Sequence, residues 1–115
     1  MQPITVSISD AALAAKYSRP VRMDTWANAQ TAVQVNVTGT ATWTIQTSMD
    51  DPNSPTDPVA VGSMVWLDAL DVNLVDETSS KSGVLNVTPV FLRIKQIDGA
   101  GSVKATFAQF SNAPL

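Results

Sequence analysis

Residues 90–110, VFLRIKQIDGAGSVKATFAQF, decide the fold class. Val90, Leu92 and Ile94 alternate with Phe91, Arg93 and Lys95. Further on, Val103, Ala105 and Phe107 alternate with Lys104, Thr106 and Ala108. A period of two puts each set on one face of a strand. Between the strands stand Asp98-Gly99-Ala100-Gly101, residues that tolerate positive φ. The pattern predicts a closing hairpin. A four-residue loop would pair Ile97 with Ser102, Ile94 with Ala105 and Leu92 with Phe107, which brings both apolar sets to one face. A loop one residue shorter or longer would oppose apolar to polar along the whole pair.

The same reading extends upstream. Val33, Val35 and Val37 share one face, and Ala41, Trp43, Ile45 and Met49 share another. A turn at Thr38-Gly39-Thr40 would pair Val37 with Ala41, Val35 with Trp43 and Val33 with Ile45. One long strand bulged at Gly39 is the rival. Ile4, Val6 and Ile8 mark a first strand within Pro3–Ser9, and Val21–Thr25 a second after Pro20. Ala11–Lys16 follows Asp10, a candidate N-cap, and is either one helical turn or an irregular loop. Met49–Pro58, with Pro52, Pro55 and Pro58, is a loop. Val59–Leu67 holds one or two strands around Gly62. Asp68–Leu74 is open between helical turn and strand, and Val75–Gly83 is a polar loop. Val84–Val87 leads into the closing pair.

Short strands between turn signals, with no convincing helix, predict an all-β fold: a single antiparallel β-sandwich, jelly-roll-like or Ig-like, spanning residues 1–115. A chain of 115 residues buries enough surface for a core without staples, and with no Cys it has none. The opening Met1-Gln2-Pro3-Ile4-Thr5 does not read as a signal peptide. No apolar run reaches the length of a membrane span. Net charge is −3, which argues against nucleic acid as the main partner. Charged residues are only 15% of the chain, so Thr, Ser, Asn and Gln solvate much of the surface. Such a surface suits close contact with other protein, because buried charge is costly.

Candidate chemistry is sparse. With no His, a Ser-His-Asp triad is excluded. Asp50, Asp51 and Asp57 read as loop carboxylates, with an Asx-turn before Pro52. Their spacing fits no EF-hand, so neither metal nor cofactor is expected. Trp43 lies on an apolar strand face and reads as core, and Trp66 reads as core or half-buried. Trp26, beside Asn28 and Gln30, is the aromatic a ligand could reach. The pattern Asn-X-Thr at Asn36 and Asn86 reads as chance within strands. In the predicted hairpin Arg93, Lys95 and Lys104 share the wet face with Pro89, Phe91, Ala108 and Phe110, and Lys95 opposes Lys104. Pro89, Phe91, Arg93, Lys95, Lys104 and Phe110 are therefore the candidate protein interface, unless an N-terminal segment covers them.

Three stretches resemble small virion proteins of tailed bacteriophages: Val37–Pro52 (VTGTATWTIQTSMDDP), Trp66, and Pro89–Gln109 (PVFLRIKQIDGAGSVKATFAQ). The shared pattern is a Gly-containing turn (Gly39), a strand ending in Asp50-Asp51-Pro52, an Arg-bearing strand (Arg93), a Gly-rich turn (Gly99, Gly101) and a last strand ending near Gln109. The resemblance implies a non-enzymatic virion structural protein, a capsid cement or decoration protein that bridges and stabilises major capsid subunits. It would sit as a homo-oligomer on the capsid exterior, after assembly in the host cytoplasm, with neither nucleic acid nor membrane as partner. A neck or tail component, or a carbohydrate-binding β-sandwich module centred on Trp26 and the Asp50–Asp57 loop, are the alternatives.

Overall fold

The computed structural model describes residues 3–23, 29–85 and 89–111, apart from the side chains of Ala29, Phe110 and Ser111. Among these residues there are nine strands and no α-helix: β1 (Ile4–Ser9), β2 (Lys16–Tyr17), β3 (Val21–Arg22), β4 (Ala29–Thr38), β5 (Thr42–Ser48), β6 (Leu67–Asp68), β7 (Lys81–Leu85), β8 (Phe91–Asp98) and β9 (Ser102–Ser111). They form two antiparallel sheets. The first runs β1-β9-β4-β7 and the second β2-β8-β5-β6, with β3 also on β8. Between the sheets lies a core built on Val33, Val35, Trp43, Ile45, Leu74, Leu92, Ile94, Val103, Ala105 and Phe107.

β2 and β3 act as one edge strand with a break. Lys16-Tyr17 pairs with Gln96-Lys95, and Val21-Arg22 with Leu92-Phe91. Between them Ser18 N–H donates to Ile94 O, and Ile94 N–H donates to Ser18 Oγ, both at 2.9 Å. The hydroxyl stands in for a carbonyl where Arg19-Pro20 turns the chain away. Taking β2 and β3 as one position, the first strand pairs with the last, the second with the seventh, the third with the sixth and the fourth with the fifth. The last also pairs with the third, and the seventh with the fourth. That wrapping of one long antiparallel ribbon over two sheets is a jelly roll.

Both predicted hairpins are absent. β8 and β9 lie in opposite sheets, as do β4 and β5. The faces are nevertheless as the alternation predicts: Leu92, Ile94, Val103, Ala105 and Phe107 are all fully buried. Two apolar faces can meet side by side in one sheet or head-on across a core, and alternation is blind to the difference. The backbone groups of the turn decide it. Gln96, also fully buried, donates from Nε2 to Gly99 O and Gly101 O at 3.0 Å, and to Asp98 O at 3.4 Å. Gly101 N–H donates to Thr40 O in the β4–β5 turn at 2.8 Å. Ala11 and Asp10 N–H donate to Gly99 O and Gly101 O at 2.8 and 3.1 Å. The turn is thus an arch between sheets, bonded to two neighbouring loops.

Other departures are local. The Ala11–Lys16 segment is an irregular loop up to residue 15, and Lys16 opens β2. Val59–Leu67 gives a single 3-10 turn at Val61–Ser63, with only Leu67 entering a strand. A second 3-10 turn, Val72–Leu74, is capped by Asp71 and sends Leu74 fully into the core. The polar run Val75–Gly83 ends as strand β7, because Lys81, Ser82 and Gly83 pair with Val35, Gln34 and Val33.

Candidate interaction face

The outer face of the second sheet carries a row of cations against aromatic rings. On β8, Phe91, Arg93 and Lys95 point outward and are half-buried. Each meets a residue of the broken edge strand or of β5. Arg22, opposite Phe91, holds its guanidinium carbon 4.6 Å from the Phe91 ring. Tyr17, opposite Lys95, takes Lys95 Nζ at 5.9 Å and the Arg93 guanidinium at 4.2 Å. Trp66, arriving from beyond β5, lies 4.2 Å from the same guanidinium. Arg93 Nε–H donates to Gln46 Oε1 at 2.9 Å, and Gln46 Nε2 donates to Asp68 Oδ1 at 3.4 Å. Arg93 is therefore held between two rings, its pKa pushed down by burial and partly restored by Tyr17. It stays cationic at any physiological pH.

The Asp-Asp-Pro motif anchors the loop beside this row. Asp51 forks Arg22: Oδ1 accepts from Nη2 at 2.8 Å and Oδ2 from Nη1 at 3.2 Å. Oδ1 also accepts Asn53 N–H at 2.9 Å, the Asx-turn expected before the loop. Asp50 Oδ2 accepts Val65 N–H at 2.6 Å. Asp57 is exposed. Among the described residues, no group of three or more His, Cys, Asp or Glu could hold a metal ion. Arg22, then Asn53 N–H, holds the Asp51 carboxyl below the usual range. A depressed carboxyl stabilises the fold above its unfolded pKa, about 3.9, and that contribution fades as pH falls through the folded value. In a side-chain carboxyl NMR titration, Asp51 should have its midpoint below 3.9, and Arg22→Ala should move it back upward. An unmoved midpoint would mean that the ion pair does not hold the loop.

Beyond Asp68 the row runs into a groove of about 530 Å³ where β6 and β7 face the chain end of β5. Met49, Leu67, Leu70, Val84, Leu85 and Pro89 line it, with Asp68 and Asp71 on its rim. Leu70 is 88% exposed, Met49 71% and Leu67 66%, with Val72 nearby in sequence at 78%. Met49, Leu67 and Leu70 thus leave apolar surface bare around one groove, a feature common at contact sites.

Neither protein-family models nor curated proteins give a match to this chain.

The six residues singled out from the sequence do not form one patch. Phe91, Arg93 and Lys95 stand together on the second sheet. Lys104 is exposed on the outer face of the first sheet, opposite Ser7 and Asn36, so the predicted Lys95–Lys104 repulsion does not arise. Pro89 is buried, lining the groove rather than the wet face. Phe110 pairs through its backbone with Gln30, and its side chain is outside the described residues. Trp26 and Asn86 also lie outside them. Trp43 is fully buried, its Nε1–H donating to Ser79 O at 3.1 Å, whereas Trp66 is only half-buried and belongs to the outer face. Leu67 and Leu70 carry no periodic signal, because Val59–Leu74 follows neither a two- nor a 3.6-residue period. The available signal was the density of Val, Met, Trp and Leu in a segment with no strand or helix to bury them.

Proposed function

We propose that this chain is a non-enzymatic structural protein of a tailed-bacteriophage virion, a capsid cement or decoration protein. It docks on the major capsid protein at the capsid exterior and bridges neighbouring subunits. The observation that carries this reading is the apolar groove of Met49, Leu67 and Leu70, continuous through Asp68 and Gln46 with the cation–aromatic row. A surface this apolar on a chain with so little charge favours a lasting protein contact over a mobile or catalytic one. The jelly roll supports it as a rigid frame for such a face, and the resemblance of Val37–Pro52 and Pro89–Gln109 to phage virion proteins supplies the setting. Bridging stabilises an assembled shell because binding favours the bound state, and several contacts at once raise avidity.

The test is co-sedimentation of the purified protein with expanded shells that lack it, then heating of shells with and without it. Native protein should pellet with shells, bind free capsid subunits weakly, and raise the temperature of shell disruption. Leu70→Asp should weaken attachment at least about tenfold, since burying an unpaired carboxylate costs more than the roughly 1.4 kcal/mol that factor represents. Circular dichroism would confirm that the variant folds. Failure of the native protein to pellet overturns the capsid assignment.

A further inference from the structure

Arg93 is a half-buried cation with no counter-ion among the described residues. Among the described residues, ion pairs join Arg22 to Asp51 and Lys81 to Glu77, and none reaches Arg93. Two carboxylates beside this row are otherwise engaged: Asp51 forks Arg22, and Asp68 accepts from Gln46. Among the described residues, Arg93 donates from Nε–H to Gln46 Oε1. Among the described residues, its two terminal nitrogens meet no protein acceptor, which leaves them available to a ligand. Tyr17 and Trp66, each 4.2 Å from the guanidinium carbon, and the Gln46 bond fix its position, so the usual entropy cost of ordering a long side chain is already met. Partial burial of the charge is unfavourable in the free protein. An incoming anion that accepts from both terminal nitrogens would relieve it.

We propose that the Tyr17–Arg93–Trp66 clamp is a receptor for a carboxylate, and that its occupant is an Asp or Glu side chain of the partner protein. The planar fork matches a carboxylate through two parallel N–H···O bonds, which a lysine cannot reproduce. Lys95, in no ion pair among the described residues, adds positive potential from the Tyr17 side. A phosphate backbone fits this face less well. It calls for a run of cations, and here Arg93 and Lys95 stand among rings on a chain of net charge −3. The inference rests on the reading of this face as a protein dock and gives the chemistry that dock selects.

The probe is a blocked Gly-Glu-Gly peptide, with blocked Gly-Gln-Gly and inorganic phosphate as comparisons, each titrated into the native chain. The readout is the Arg93 Nε–H and Trp66 indole N–H resonances. The Glu peptide should shift both saturably and the Gln peptide neither. Arg93→Lys should weaken binding at least about tenfold, as a point charge replaces the fork. Trp66→Leu, altering a half-exposed ring outside the core, should weaken it too while leaving the amide spectrum folded. Equal shifts with Glu and Gln peptides, or undiminished binding by Arg93→Lys, overturn the receptor. Tighter binding of phosphate than of the Glu peptide overturns the carboxylate as its occupant. In the shell assay, full co-sedimentation of Arg93→Lys overturns a capsid acid as the occupant and leaves shell binding intact. Failure of the native chain to pellet strikes only the virion assignment, because the peptide titration uses no shell.

Discussion

Truncating Phe107 to Ala should lower the free energy of unfolding by about 3–5 kcal/mol, and Leu92→Ala by about 2–5 kcal/mol. Both side chains are fully buried, Phe107 on the central β9 and Leu92 on the central β8. Each faces the other sheet, so the missing atoms leave a void walled on both sides by paired strands. Strands held in ladders on both edges cannot close inward to fill it, which puts the costs toward the upper end of the range. Lys104→Ala, on the outer face of the same β9, should stay within about 0.5 kcal/mol. Urea melts of the three variants would check the order. At about 4 °C per kcal/mol for a chain of this size, Phe107→Ala should also melt roughly 12–20 °C lower. A Lys104 variant as damaged as Phe107→Ala would mean that the faces of β9 are reversed.

These residues also mark where sequence stops being informative. Alternation of Leu92, Ile94, Val103, Ala105 and Phe107 told which side of each strand is inside, because burial is a property of one strand and its period. Pairing is a property of two strands, and both candidate partners offered Leu92 the same apolar face. Distinguishing them required the destination of the turn's backbone groups, which lies in Thr40, Asp10 and Ala11, far from the turn in sequence. The interaction face was half legible for the same reason. Phe91, Arg93 and Lys95 sit at i, i+2 and i+4 and so had to share an outer face. Tyr17 reached it through a two-residue edge strand, and Trp66 through an aperiodic segment, neither of which leaves a periodic trace. Lys104 shares that face only in a hairpin, and in the sandwich it stands on the opposite sheet.

Gly99→Ala should destabilise the fold by about 2–5 kcal/mol, and Gly101→Ala by about 1–3 kcal/mol, although both occupy a turn at the end of the sandwich. Gly99 has φ +97°, a conformation that costs an L-residue about 1–2 kcal/mol. A Cβ there would also press on Thr40 O and come within 2.7 Å of Ala41 Cα. Gly101 has no such φ, and its constraint is space alone: a Cβ would meet Thr38 O and lie 2.7 Å from Thr40 N. All these neighbours are backbone atoms of the β4–β5 arch, which cannot rotate aside as a side chain would. The arch is held besides by Gly101 N–H to Thr40 O, so relief by separation would break that bond and strain the carbonyls that Gln96 binds. Gly62 is the control, since a Cβ there meets nothing within 4 Å, and Gly62→Ala should leave stability unchanged or raise it by up to about 1 kcal/mol. The three variants separate the two ways of joining β8 to β9. A hairpin tip projects into solvent, where Gly101→Ala would be as harmless as Gly62→Ala. Two interlocked arches place Gly101 against another backbone, and the variant should then unfold at clearly lower denaturant with its slope unchanged.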